Sequence, residues 1–305
     1  MDYSNALNNQ LILMFLIIVL GFILKKREFY SDQFIKELGN LLFVVINPLT
    51  IINSLSIGYS SQKAKELGIS FILALGSYLL NVVIGEAIFR NEKHYIEKFG
   101  LVINNCGFFG LPIVITLFGS GAVFYAVSYI AINTVAQWTY GSYIMSKDKS
   151  TISLKAIVTN TSVIASVLGM LLFFVGFKMP GFVSNTISSL TNMMGPICAL
   201  IVGSNLAGTK LKQLKDDLLD IVTIVCRLLV VPFITAFLFK FINNDYFILK
   251  FTVLIMASAP SGTSTTVFAR MFDKDYEKAA RLVCACTMLC MLTMPLITGF
   301  AMKIW

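Results

Sequence analysis

Between Gly100 and Gly119 the chain is apolar for long enough to cross a bilayer, yet the middle of that run reads Ile103-Asn104-Asn105-Cys106-Gly107-Phe108-Phe109-Gly110-Leu111-Pro112. Such a stretch is not ordinary helix. Glycine lowers helix stability, proline removes a backbone hydrogen bond and clashes with the preceding turn, and two asparagines bring side-chain amides to membrane depth. Lipid cannot satisfy open backbone, so a break at that depth must be buried in protein or line a watery cavity. A second break follows at Ser258-Ala259-Pro260-Ser261-Gly262-Thr263-Ser264-Thr265-Thr266, with hydroxyls where the first has amides. Interrupted hydrophobic spans of this kind point to a transport site.

The surrounding chain is built for a membrane. Of its 305 residues 57% are hydrophobic and 13% charged, against about 25% charged in soluble domains. Ten segments meet or approach the 20 or so apolar residues a helix needs to cross the hydrocarbon core: roughly 8–25, 35–57, 67–89, 97–119, 121–146, 152–176, 183–207, 218–241, 246–268 and 279–304. The run Leu11 to Leu24 has the look of a signal-peptide core, but Lys25-Lys26-Arg27 follow it and no small-residue cleavage site comes after, so it is read as the first membrane helix. A net charge of +8 could serve nucleic acid, but the basic residues sit in short loops, without a basic helix or an aromatic-basic motif. A membrane surface is the better partner.

Of the 24 Lys and Arg residues, seventeen fall in the loops after segments 1, 3, 5, 7 and 9. Only Lys63, Lys65, Lys178, Lys240, Lys250 and Lys303 lie on the other side, and Arg227 is the one base left over. The positive-inside rule then places the odd loops in the cytoplasm and both termini outside the cell membrane. Pro196 follows Pro48 by 148 positions, and Pro260 follows Pro112 by the same 148. The chain thus divides into residues 1–146 and 147–305, two five-helix repeats. Because five is odd, the second is inverted relative to the first, and both breaks fall near the midplane.

These residues resemble the auxin efflux carrier family of bacterial and plant transporters, which is itself related more distantly to bile acid:sodium symporters. Asn105 to Pro112 is similar to that family's crossover in helix 4, and Pro260-Ser261-Gly262 with Val267-Phe268-Ala269-Arg270 to its crossover in helix 9. Gly195-Pro196 through Gly203, and Arg227 with Pro232, also follow the family pattern. The resemblance implies ten transmembrane helices, with helices 1, 2, 6 and 7 as a scaffold, often dimeric. Helices 3–5 and 8–10 would form a transport domain that moves as an elevator. It also implies carboxylate substrates, bound by Asn105 and by Asn160 in helix 6. Two departures stand out: the long hydrophilic loop of plant members is absent, and Thr161 stands where many members have proline.

The candidate substrate-binding residues are Asn104, Asn105, Gly107, Pro112, Pro260, Ser261, Gly262, Thr263, Ser264, Asn160 and Arg227. Half-helix N-termini after each proline suit a carboxylate, and the amides and hydroxyls, Thr265 included, can complete its hydrogen bonds. In the blander alternative, Gly107 and Gly110 only allow close packing and Asn105 ties neighbouring helices. Arg227 lies roughly 13 Å of rise into its helix, where a charge is costly unless paired. It either meets substrate or bonds carbonyls freed at Pro232. Glu86 can pair with Arg90 one turn on, and Asn47-Pro48 and Gly195-Pro196 are read as scaffold bends.

No carboxylate is read deep in any span, which points to potential-driven efflux of an organic anion without a cofactor. Coupling to Na⁺ or H⁺ is the alternative, since carbonyls, amides and hydroxyls at the breaks can bind Na⁺. A rival of another class rests on Asp216-Asp217-Leu218-Leu219-Asp220 and Asp273-Lys274-Asp275, which look like the Mg²⁺-diphosphate motifs of intramembrane prenyltransferases. Here the acidic residues would otherwise solvate loop ends. An anion receptor that moves nothing is the third reading. Six cysteines, Cys106, Cys198, Cys226, Cys284, Cys286 and Cys290, all fall within spans and are expected as free thiols; Cys286 and Cys290 share a face, but no histidine joins them as a metal ligand. His94 lies in a charged loop and is expected in solvent.

Overall fold

A computed structural model describes residues 3–91, 93–208 and 217–305, with side chains from Asn9 onward. Lys210, Lys212, Lys215 and Asp216 lie outside the described residues. Within them the regular structure is helical, supplemented by two isolated backbone bridges, Ile57 to Lys178 and Asn104 to Ser261. Six helices are long and apolar enough to cross a membrane: Asn9–Lys26, Asp32–Leu55, Ser61–Ile88, Gly181–Ala207, Leu218–Phe239 and Tyr276–Ile304. Lys149–Val158 and Thr161–Val175, bent by 52° at Thr159-Asn160, make a seventh if they are one span.

The other three segments are helical too, but two are interrupted. The fourth consists of Tyr95–Val102 and Cys106–Phe118, with Ile103 extended between them. The ninth consists of Phe247–Ala257 and Ser264–Met271. The fifth, 123–146, is helical throughout and carries Asn133, Thr134 and Gln137 near its middle.

Proline shapes these helices in a recurring way. Pro48, Pro112 and Pro232 each stand just after a widened turn, at Leu41–Ile46, Cys106–Gly110 and Cys226–Val230 respectively. A proline has no N–H to donate to the carbonyl four residues back and its ring clashes with it, and a π-turn removes that clash without ending the helix.

Small residues set the tightest contact. The first helix lies against Met194–Ala207 so closely that a methyl group on Gly203 would sit 2.0 Å from the Ile18 carbonyl oxygen, and one on Gly21 2.5 Å from that of Leu200. Without a hydrophobic force between helices in lipid, such backbone contact is what holds them. The outer face of the first helix (Ile12, Leu16, Leu20, Ile23) and of Thr161–Val175 (Val167, Leu171, Phe174, Val175) is exposed and apolar, as a lipid-facing surface requires.

Candidate functional site

The two breaks meet. The Asn105 amide donates to the Pro260 carbonyl at 2.8 Å, and the Gly262 amide donates to the Ile103 carbonyl at 3.0 Å, so the unwound segments pair as one short antiparallel bridge. Backbone groups that a helix would have used internally are thereby satisfied without water. The crossing requires glycine at one point: a Cβ on Gly262 would lie 3.1 Å from the Asn104 carbonyl oxygen and 2.8 Å from Ser264 Oγ.

Asn104 locks the crossing. Its Nδ2 donates to the Met256 carbonyl (2.8 Å) and to Tyr129 Oη (3.2 Å), and its Oδ1 accepts from the Cys106 amide (3.2 Å). Asn133 from the fifth segment holds its backbone, accepting from the Asn104 amide and donating to the Asn104 carbonyl. Asn105 is different. It is buried, yet its Nδ2 has no hydrogen-bond partner.

Beside the crossing lies a cavity of about 280 Å³. One wall is Asn104 to Phe108 with Gly262, Thr263, Ser264, Val267 and Phe268; a second is Ile130, Asn133, Thr134, Gln137 and Trp138; the third is Phe43 and Asn47 with Asn160, Thr161 and Ser162. None of these residues is charged. Amide and hydroxyl groups alternate with aromatic rings, among them Phe43 edge-on to Phe108 at 3.9 Å between centroids. Unsatisfied donors and acceptors gather here: Asn105 Nδ2, Asn47 Oδ1 and Trp138 Nε1 are all buried without partners. The break also opens helix Cys106–Phe118 toward this space, and a helix start carries a partial positive charge. A Cβ on Gly107 would meet nothing within 4 Å. A small molecule with polar groups on an apolar body fits such a lining.

Nearly the whole chain carries the same signature as known transporters. A family model described as membrane transport protein matches residues 7–298. The chain belongs to this membrane transport protein family. It is the family of the auxin efflux carriers, as Asn105 to Pro112 and Pro260 to Arg270 already suggested. An uncharacterized transporter from Methanocaldococcus jannaschii is 24% identical over 284 residues, covering 88% of this chain and 90% of that one. A multi-pass membrane transporter, and not an enzyme, follows from family and helices together.

Against this membership the site residues can be placed one by one. Asn104, Asn105, Gly107, Gly262, Thr263, Ser264 and Asn160 line the cavity. Asn160 also caps its helix, with Oδ1 accepting from the Ser162 (3.0 Å) and Val163 (3.3 Å) amides, so the usual N-cap role is filled although Thr161 follows in place of proline. Pro112 packs toward Gly195, Pro260 gives its carbonyl to the bridge, and Ser261 is buried with its amide on Cys286 Sγ at 3.3 Å; these three do not line the cavity. Asn47 does, although its dipeptide Asn47-Pro48 reads as a bend, and its Nδ2 donates to Ser162 Oγ at 3.0 Å. Gln137, Trp138 and Phe43 carried no sequence signal, because single polar or aromatic residues on a helix read as packing.

Arg227 is also apart from the cavity. Fully buried, it donates from Nε to the Ala259 carbonyl (2.9 Å), from Nη1 to Asn81 Oδ1 (2.6 Å) and the Leu101 carbonyl (3.3 Å), and from Nη2 to the Ala257 carbonyl. Three of its four acceptors are carbonyls at the ends of the broken helices, and none is in the ladder freed at Pro232.

The carboxylates also depart from expectation. Glu86 pairs with Lys98 at 2.8 Å rather than with Arg90. Glu97 and Asp220 are both fully enclosed, although each sits in the first turns of its helix rather than at mid-span. Lys278 joins them, with Nζ 2.5 Å from Glu97 Oε1 and 2.6 Å from Asp217 Oδ2, and Arg281 Nε lies 3.4 Å from Asp220 Oδ2. Three carboxylate oxygens of Glu97, Asp217 and Asp220 lie within 4.8 Å of one another, a possible metal geometry, but the Lys278 ammonium already bridges two of them. Asp217 and Asp275 cap their helices, accepting from backbone amides at 219, 220 and 278. These acidic residues therefore have structural roles that need no diphosphate. All six cysteines are buried and outside any disulfide, and His94 is half-buried beside Phe89.

Proposed function

We propose that this transporter carries a small organic anion, a carboxylate, and binds it in the cavity at the crossing of the two breaks. The observation that carries this is Asn105: a buried amide donor without a partner, set at a helix start in a cavity without charged side chains. A carboxylate would take that donor and the hydroxyls of Thr263 and Ser264, while Trp138, Phe108 and Phe268 would hold its apolar body.

The chain is read as ten transmembrane helices in two inverted repeats, 1–146 and 147–305, with both termini outside the plasma membrane. Helices 1, 2, 6 and 7 form the scaffold, which suits a homodimer through its exposed apolar faces, and helices 3–5 and 8–10 form the moving domain. This division is supported by the cavity, whose Phe43, Asn47 and Asn160–Ser162 wall belongs to the scaffold and whose other walls belong to the moving domain. Sliding one against the other would carry a bound anion between the two sides, as in an elevator. An inside-negative potential of 100 mV favours exit of a monoanion by about 2.3 kcal/mol, enough to drive efflux without a coupled ion.

The test is flux of a panel of radiolabelled organic acids in proteoliposomes under an imposed K⁺-diffusion potential, wild type beside Asn105→Ala. Potential-dependent flux of one acid that the variant loses is the expected result. Flux that follows a Na⁺ or H⁺ gradient and ignores the potential would replace uniport with symport.

A further inference from the structure

We propose that the guanidinium of Arg227 is a built-in cation, filling a carbonyl cage between the two broken helices that would otherwise take a free monovalent cation. The cage is made of four oxygens from three segments: Leu101 at the end of Tyr95–Val102, Ala257 at the end of Phe247–Ala257 with Ala259 in the break just after it, and the Asn81 side chain in Ser61–Ile88. Arg227 is 0% exposed, and among the described residues no carboxylate pairs with it. A lone charge cannot be left uncompensated in such a place.

The compensation comes from the backbone. Each helix C-terminus carries roughly half a negative charge. Two such ends converge here, about one unit in total, and one guanidinium balances them. Unwound carbonyls and half-helix C-termini are also the groups by which broken transporter helices coordinate Na⁺. The fork geometry of arginine suits this better than a bare ion would: its donors spread over several planar acceptors and none has to leave with the substrate. On this basis the carrier brings its own cation, always bound, and its cycle draws nothing from a Na⁺ gradient. Asn81 belongs to the same device, with Nδ2 fixed on the Ser77 carbonyl at 2.8 Å so that Oδ1 faces Arg227.

The test separates the cage from the transport reading on which its functional half rests. Unfolding temperatures of wild type, Arg227→Ala and Arg227→Lys are measured in millimolar guanidinium, methylguanidinium, Na⁺ and choline chlorides at constant ionic strength. Arg227→Ala is expected to melt lower than wild type and to recover saturably with guanidinium or Na⁺ but not with choline, whereas wild type responds to none of them. A folded Arg227→Ala that gains nothing from any cation overturns the proposal. So does a wild type that is itself stabilised saturably by Na⁺. Should Arg227→Ala not fold, the charge decides: Arg227→Lys is expected to fold and the neutral Arg227→Gln to melt below it, and the reverse order refutes a cation cage. In proteoliposomes, wild-type flux is expected to be unchanged when choline replaces Na⁺ on both sides. A cation-dependent melting shift in Arg227→Ala with no flux of any acid in wild type would count against the anion transport reading and leave the cage standing.

Discussion

Asn104 and Asn105 are neighbours of identical chemistry, and alanine at each should separate stability from function. In Asn104→Ala three hydrogen bonds are lost, from Tyr129, Met256 and Cys106, and buried partners are left open. At about 0.5–1.5 kcal/mol for each neutral bond, the cost is about 1.5–4.5 kcal/mol, a large fraction of a typical stability of about 5–15 kcal/mol. In Asn105→Ala the Nδ2 deleted has no partner in the protein, so removing it relieves an unsatisfied buried donor and stability is expected to hold or rise. Its loss is expected to fall on the proposed anion. A hydrogen bond to a charged group contributes about 1.5–3 kcal/mol, which is about 10- to 100-fold in affinity. Thermal unfolding of the purified variants, together with concentration-dependent flux, reads both quantities. Asn105→Ala that transports with unchanged affinity, or that melts well below Asn104→Ala, would refute the assignment of these two amides.

Three further outcomes follow from named positions. Gly107→Leu projects into open cavity, so the variant is expected to keep or slightly raise its melting temperature, since replacing a helical glycine contributes about 0.4–1 kcal/mol, while flux is lost. Gly203→Ala sets a methyl against the Ile18 backbone and is expected to destabilise by about 1–3 kcal/mol, read as a lower melting temperature with unaltered substrate affinity in the folded fraction. Burial would raise the carboxyl of Asp217, but the Lys278 ammonium and the amides of residues 219 and 220 outweigh it and hold it below its ordinary value. A depressed folded-state value means that its stabilisation is fully present above the usual carboxylate range of about 3.9 and is lost as pH falls through the lower folded-state value. Unfolding of wild type and Asp217→Asn across pH should show a constant gap near neutrality that closes in acid.

The sequence carries the breaks plainly because backbone chemistry is local. Pro112, Pro260 and the glycines around them dictate open backbone whatever surrounds them, and the apolar run lengths place it within the membrane. The depth of Arg227 is legible for the same reason, since it depends only on distance along a helix. Its partners are not: Leu101, Ala257 and Ala259 offer carbonyls, which every residue has, and nothing in their side chains announces them. The third wall of the cavity is hidden by the same logic. Asn47 and Thr161 sit beside helix bends, where a polar residue reads as a local cap or hinge, and only the packing of distant helices brings them opposite Asn105. Glu86 shows how a periodic rule can mislead, for a partner one turn away was available and a lysine 12 residues on was taken.

The bridge between the breaks has a consequence for biosynthesis. Asn104 and the Met256 carbonyl it grips are 152 residues apart, and at about 5–20 residues per second a ribosome takes roughly 8–30 s to make that interval. Throughout that time the first break exists without the second. Its open amides and carbonyls, which lipid cannot satisfy, must wait in a hydrated or protein-lined setting within the insertion machinery. The first half is therefore an incomplete body until the ninth segment arrives, and a nascent chain stalled before Phe247 presents the unpaired backbone that membrane quality control can recognise.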